Sequence, residues 1–182
     1  MRPAAEHLRS YLDAVERGFS PNTTRRDAGL EDAQRIAANQ DAFLASLDDR
    51  GAAGPPIRLP DGTTGPRLPG FVRWMWDGKF LGSIGLRWVL GTPELPAYCL
   101  GHVGYTVVAW ERNHGHATSA LRQLLPEAES VGLPYVELTT EPDNIASQRV
   151  ILANGGVLIE AFTKPPAYGG GPGLRFRIPI TG

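Results

Sequence analysis

Cysteine is almost missing from this sequence. Cys99 is the single one in 182 residues, so no internal disulfide can form and no thiolate pair is spaced to hold a metal, which suits a reducing compartment. An excess of charge of one sign is missing too. Eighteen Lys and Arg against 19 Asp and Glu leave a formal net charge of −1, which argues against nucleic acid or an anionic membrane as partner. No stretch of about 18 apolar residues occurs, and the first 19 residues lack the apolar centre of a signal peptide. A cytoplasmic protein with small partners and no membrane contact is expected. Neither Gly-x-Gly-x-x-Gly nor Gly-x-x-x-x-Gly-Lys occurs, which counts against a nucleotide-binding protein of another fold.

What is present in quantity is glycine and proline, 22 and 16 residues. They cluster in Gly51 to Gly70 and in Lys164 to Gly173, which read as two long loops between better-patterned segments. With 42% hydrophobic and 20% charged residues, the rest is ordinary for one globular domain spanning 1–182. Leu8, Tyr11, Leu12 and Val15 make one face of a helix between Pro3 and Arg17, ended by Gly18. A second helix runs from a cap at Asp27 to about Leu47. Phe71 to Trp76, the Asp77-Gly78 turn pair and Phe80 to Leu90 read as a hairpin. A strand from Cys99 to Val108, a helix from Thr118 to Val131, a strand from Tyr135 to Thr140, a helix from Asn144 to Asn154, and strands Val157 to Thr163 and Leu174 to Ile180 complete the order α-α-β-β-β-α-β-α-β-β. The expected class is α/β (α+β): a mixed, mostly antiparallel sheet with one parallel strand pair, flanked by helices. Pro126 falls inside the third helix and predicts a kink or an early end.

Trp110 to Thr118 joins the third strand to the third helix, and this turn suits a pyrophosphate. The first N–H groups of a helix lack intrahelical partners and carry the positive end of its dipole, so phosphate oxygens satisfy both. Gly115 allows close backbone approach, Ala117 lets helix and sheet pack, and Arg112 supplies a cation. The second unit, Tyr135 to Thr140 followed by Asn144 to Ser147, repeats the strand-to-helix geometry. Two adjacent parallel strands that splay would leave backbone groups for an extended amide ligand such as pantetheine.

Arg112-x-x-Gly115-x-Ala117 resembles the Gln/Arg-x-x-Gly-x-Gly/Ala turn of the GNAT, or GCN5-related, N-acetyltransferases. Gly101 to Tyr105 before it, and Asn144-x-x-Ser147 with Asn154-Gly155-Gly156 after it, resemble the branch near the ribosomal-protein N-terminal acetyltransferases and bacterial relatives. The likeness is specific from about Phe71 to Gly156. It implies acetyl-CoA as acyl donor and a primary amine as acceptor, meeting in a ternary complex without a metal, in a monomer or homodimer. It further implies that the backbone of Tyr105, Thr106 and Val107 pairs with pantetheine and the acetyl carbonyl. The N–H groups of Asn113, His114, Gly115, His116, Ala117 and Thr118 would hold the pyrophosphate, and Asn144 would reach the thioester region. Residues 1–50 would be an acceptor-side helical segment, 51–70 a loop, 71–163 the cofactor core, and 164–182 a loop and last strand.

Catalysis of amine acetylation needs a base, oxyanion donors and an acid for the departing thiolate. Many members of the family carry that acid on a tyrosine seven residues after the asparagine; here the position is Ile151. Ser147 is the remaining hydroxyl on that turn, and the ribosomal-protein branch gives a matching serine the acid role. His102, on the cleft-lining strand and of ordinary pKa near neutrality, is the first candidate base; a packed core histidine is the bland alternative, Glu94, Glu141 and Glu160 are rivals, and positioning alone can suffice. His114 and His116 invite a metal reading, which is set aside on the expectation that their side chains diverge around Gly115 with no carboxylate in place. Trp74 and Trp76 share a strand face, and with Trp88 they suit core packing or, secondarily, an acceptor wall. The two Gly/Pro loops are the expected acceptor lids. A non-catalytic acyl-CoA-binding domain is the alternative that Ile151 leaves open.

Overall fold

The computed structural model describes residues 1–23, 25–59 and 61–180. A 3₁₀ turn at Ala5–His7 leads into α1 (Leu8–Glu16), followed by α2 (Ala28–Ala38) and α3 (Gln40–Ser46). The single helix expected from Asp27 to Leu47 is therefore two. Asn39 breaks it: its backbone is extended and its side-chain oxygen accepts the Ala42 N–H at 2.9 Å, so it caps α3 instead of continuing α2.

Three short strands, β1 (Asp48–Asp49), β2 (Ile57–Arg58) and β3 (Thr64–Gly65), punctuate the loop region. Then come β4 (Gly70–Trp76), β5 (Phe80–Arg87), β6 (Val103–Val107), α4 (His116–Ser130), β7 (Tyr135–Thr140), α5 (Ile145–Leu152), β8 (Val157–Thr163) and β9 (Pro172–Pro179). One antiparallel sheet has the order β1-β4-β5-β6, a small one pairs β2 with β3, and another has the order β7-β9-β8. The helix α4 runs on to Ser130, past Pro126, so the expected early end does not occur. Among the described residues no helix is long and apolar enough to cross a membrane.

Alternation along β4 divides the interior. Phe71 and Met75 enter one apolar cluster with Leu121, Leu124, Val136 and Ile151, beneath α4 and α5. Trp74, with Val72 and Trp76 beside it, enters a second cluster with Leu8, Tyr11, Phe19, Ile36 and Phe43 from the first three helices. Trp74 stacks on Tyr11 with ring centroids 4.8 Å apart and planes 9° from parallel, so it is core and not an acceptor wall. Leu81 is an extra residue opposite the Met75–Trp76 step, a bulge that returns Leu81 and Ile84 to the first cluster.

Arg73, on the α4 side of β4, would be costly to bury alone. Its guanidinium meets Glu127 of α4 in a two-pronged contact, at 3.0 and 2.6 Å, and reaches Asp48 of β1 at 3.2 Å. Arg50 bridges the same two carboxylates. Glu127→Ala should lower unfolding stability by about 2 kcal/mol, because it strands a buried guanidinium while part of the gap fills with water. A urea midpoint unchanged from wild type would contradict that.

Candidate active site

Two sheets meet at β6 and β7, and they meet at one end only. The His102 N–H donates to the Glu137 carbonyl at 2.8 Å, and the Glu137 N–H donates to His102 Nδ1 at 3.0 Å. Past this point the strands belong to different sheets. This is the splayed pair that the sequence predicts.

The register against β5 decides which backbone groups face the gap. Gly82 lies opposite Val107, and Leu86 opposite Val103. The Arg87 N–H bonds to the His102 carbonyl, the Val108 N–H bonds to the Leu81 carbonyl, and the Thr106 carbonyl packs on Gly82. Even-numbered residues of β6 thus turn toward β5, and Val103, Tyr105 and Val107 turn their N–H and C=O groups to the splay. Thr106, expected to offer its backbone to pantetheine, spends it on the sheet.

The turn after β6 reverses through Asn113 at φ 65° and Gly115 at φ 80°, the latter as the cap of α4. The first amide to bond back into the helix is that of Ser119, to the Gly115 carbonyl at 3.0 Å. The amides of His116, Ala117 and Thr118 precede it at the positive end of a 15-residue helix. Residues 112 to 115 are exposed, and Ala117 is buried against the sheet. Helix α4 begins two residues earlier than the sequence predicts, which places His116 inside it.

Helix α5 comes in beside this turn. Asn144 caps it, accepting the Ser147 N–H at 3.1 Å, so its side-chain oxygen is engaged and the NH₂ is the group left to donate. Asn154, beyond the helix end, donates to the Thr118 carbonyl at 3.2 Å and to the Val150 carbonyl at 2.8 Å, tying α5 to the first turn of α4. Ile151 is fully buried in the first cluster, so the position where relatives are expected to carry a tyrosine points into the core.

A tyrosine arrives from elsewhere. Tyr105 reaches from β6 to α5, where its hydroxyl lies 2.7 Å from Ser147 Oγ and 3.4 Å from the Ser147 carbonyl. Burial pushes the Tyr105 phenol above its ordinary pKa, and the bond to Ser147 opposes that rise. The phenol stays protonated and able to donate. The sequence suggests only a backbone role for Tyr105; the signal that could flag its side chain is the odd-residue face of β6, shared with Val103 and Val107 and directed at α5.

His102 is not placed to be a base. It is 1% exposed, and its Nε2 lies 3.0 Å from the Pro93 carbonyl while Nδ1 accepts from Glu137. The proton therefore sits on Nε2 and the only free lone pair is used. Desolvation lowers its pKa from 6.5. Because the folded state disfavours the charged imidazole, stability is full above the unfolded pKa and falls as pH drops below about 6.5. His102→Gln should flatten that decline in urea midpoints measured between pH 7 and pH 5; an unaltered decline would contradict it. The rival carboxylates are also occupied or remote: Glu141 pairs with Lys164 at 2.8 Å, Glu160 with Arg175 at 3.0 Å, and Glu94 sits by Thr92 on the loop before β6.

The expectation that His114 and His116 diverge with no carboxylate near is not met: Glu111, His114 and His116 bring ligand atoms within 4.8 Å of one another. Arg112 is exposed, with Nε 3.4 Å from the Val107 carbonyl. A groove of 770 Å³ lies between α4 and β4, lined by Arg73, Trp76, Gln123 and Glu127 and reaching His116 and Ser119 at the head of α4. Neither Tyr105 nor Ser147 lines it.

Against this geometry, the family described as "Acetyltransferase (GNAT) domain" matches residues 19–157. The chain belongs to the GNAT acetyltransferases. As a GNAT enzyme it is an N-acetyltransferase with acetyl-CoA as its acyl donor. Among solved structures, the microcin C7 self-immunity acetyltransferase MccE, in complex with acetyl-CoA and AMP, superposes with a TM-score of 0.60 at 13% identity, covering 99% of this chain and 91% of its own. A Vibrio cholerae protein provisionally assigned as a ribosomal-protein-serine acetyltransferase gives 0.57 at 12% identity, covering 98% and 91%. A provisionally assigned GNAT acetyltransferase from Bordetella pertussis gives 0.56 at 13% identity, covering 97% and 92%. A search of curated protein sequences gives no significant match. At these identities the structures establish the shared GNAT fold.

Proposed function

We propose that this GNAT protein transfers an acetyl group from acetyl-CoA to a primary amine by direct attack within a ternary complex, working as one cytoplasmic domain. The observation that carries the reading is the Tyr105–Ser147 contact at 2.7 Å across the splay, beside a turn with free helix-start amides. Pyrophosphate lies on the amides from Asn113 to Thr118, with Arg112 screening its charge. Pantetheine runs along the outward backbone of β6, and Asn144 donates to it from the cap of α5.

The neutral amine adds to the thioester carbonyl, and the oxygen that becomes negative is met by an outward N–H of β6. The amine loses its proton to water, since both ring nitrogens of His102 are engaged and Glu141 and Glu160 are paired. When the C–S bond breaks, the thiolate takes the Ser147 hydroxyl proton, and Tyr105 passes its own to Ser147. Water returns the proton to Tyr105. The balance is one acetyl transferred and one CoA thiol released.

The acceptor enters over residues 1–50 and the loops. These loops are stitched together: Tyr98 donates to the Pro66 carbonyl, and Tyr168 to the Tyr98 carbonyl. One observation favours a second reading, a non-catalytic acyl-CoA-binding domain, namely Ile151 in the core where relatives carry the acid. Release of CoA thiol from acetyl-CoA across a panel of amines separates the two. Turnover with any amine supports transfer, and binding without turnover supports the second reading.

A further inference from the structure

We propose that Glu111, His114 and His116 form a binding site for a borderline divalent metal ion, Zn²⁺ above all, on the flank of the phosphate turn. Two residues apart in a helix, side chains point to nearly opposite sides, and in a strand they share a side but stand far apart. Here His114 is bracketed by left-handed backbone at Asn113 and Gly115. That bend brings the two imidazoles together, with ring centroids 5.9 Å apart and planes 33° from parallel.

Glu111 supplies the third ligand and is held in place. Lys79, from the β4–β5 hairpin, donates to its Oε1 at 2.5 Å, leaving Oε2 4.0 Å from His116 Nε2. All three ligand atoms lie within 4.8 Å of one another, and small side-chain rotations bring them round one ion. Two imidazoles and a carboxylate are a donor set that Zn²⁺ favours over Mg²⁺ or Ca²⁺, with water completing the tetrahedron. The positive start of α4 opposes a cation. Ordinary affinity rather than a tight structural site follows.

The inference is independent of acetyl transfer, because the ligands are side chains and the test contains no CoA. The whole chain, freed of metal, is titrated with Zn²⁺ by calorimetry and with Co²⁺ by visible absorption. Saturable binding of one ion per chain is expected, with intense tetrahedral Co²⁺ bands. Since each variant removes a ligand outright, His114→Ala and Glu111→Gln should each weaken binding by roughly tenfold or more. Absence of saturable binding to the wild-type chain overturns the proposal. So does an affinity equal to that of the wild-type chain in both variants, each checked by melting as wild type without metal.

Discussion

Replacing Gly115 by valine is expected to weaken CoA binding by roughly a hundredfold or more, while the protein still folds, because two or so charge-assisted hydrogen bonds from the turn are lost. A Cβ at this position meets no protein atom within 4 Å, so the damage is not a clash. It is the φ of 80°, which a β-branched residue adopts only under strain of roughly 1–2 kcal/mol. The chain relieves that strain by rotating the peptide, and the amides that follow then point elsewhere. The turn is exposed, so the same strain lowers the melting temperature only modestly. Gly115→Ala should fall between the two. Equilibrium binding of CoA, measured by calorimetry alongside a melt, reads both effects, and unchanged affinity in the valine variant would remove pyrophosphate from this turn.

The second large effect belongs to the hydroxyl pair. Ser147→Ala should lower kcat by roughly 10²-fold with little change in KM for acetyl-CoA, the range ordinary for losing a positioned acid. Tyr105→Phe keeps the ring against α5 and removes only the hydroxyl, so its loss of activity should be smaller and of the same kind. The double variant should be little worse than Ser147→Ala, because the two groups act on one proton in series. A fully additive double variant would mean that each acts alone. Full activity in Ser147→Ala would mean that the thiolate leaves unassisted.

Features that depend on residues close together in the chain are legible from the sequence alone. The Gly115 turn and the β6-α4-β7 unit follow from residue chemistry within a few positions, and both are present. What is not legible depends on register or on distant neighbours. Thr106 cannot be separated from Tyr105 as a pantetheine partner until the pairing with β5 fixes which residues face out. His102 passes for a cleft base until Pro93 and Glu137 claim its two nitrogens from different parts of the chain. Asn39 splits a continuous apolar stripe by a side-chain cap that competes with the helix. His114 and His116 diverge by helical spacing and converge by the two left-handed steps around them. Ile151 reads as a missing acid, whereas the fold brings the Tyr105 hydroxyl to the same helix from a neighbouring strand.

One measurement bears most directly on the claim that this GNAT chain holds acetyl-CoA at the Gly115 turn and passes its acetyl group on. It is the amine-dependent release of CoA thiol from acetyl-CoA, followed with the wild-type chain and with Ser147→Ala over a panel that includes peptide N-termini, amino acids, polyamines and aminoglycosides. The account predicts release well above the amine-free rate for at least one acceptor class, and a Ser147→Ala rate for that class roughly 10²-fold lower. Saturating acetyl-CoA binding with no release for any acceptor would contradict it.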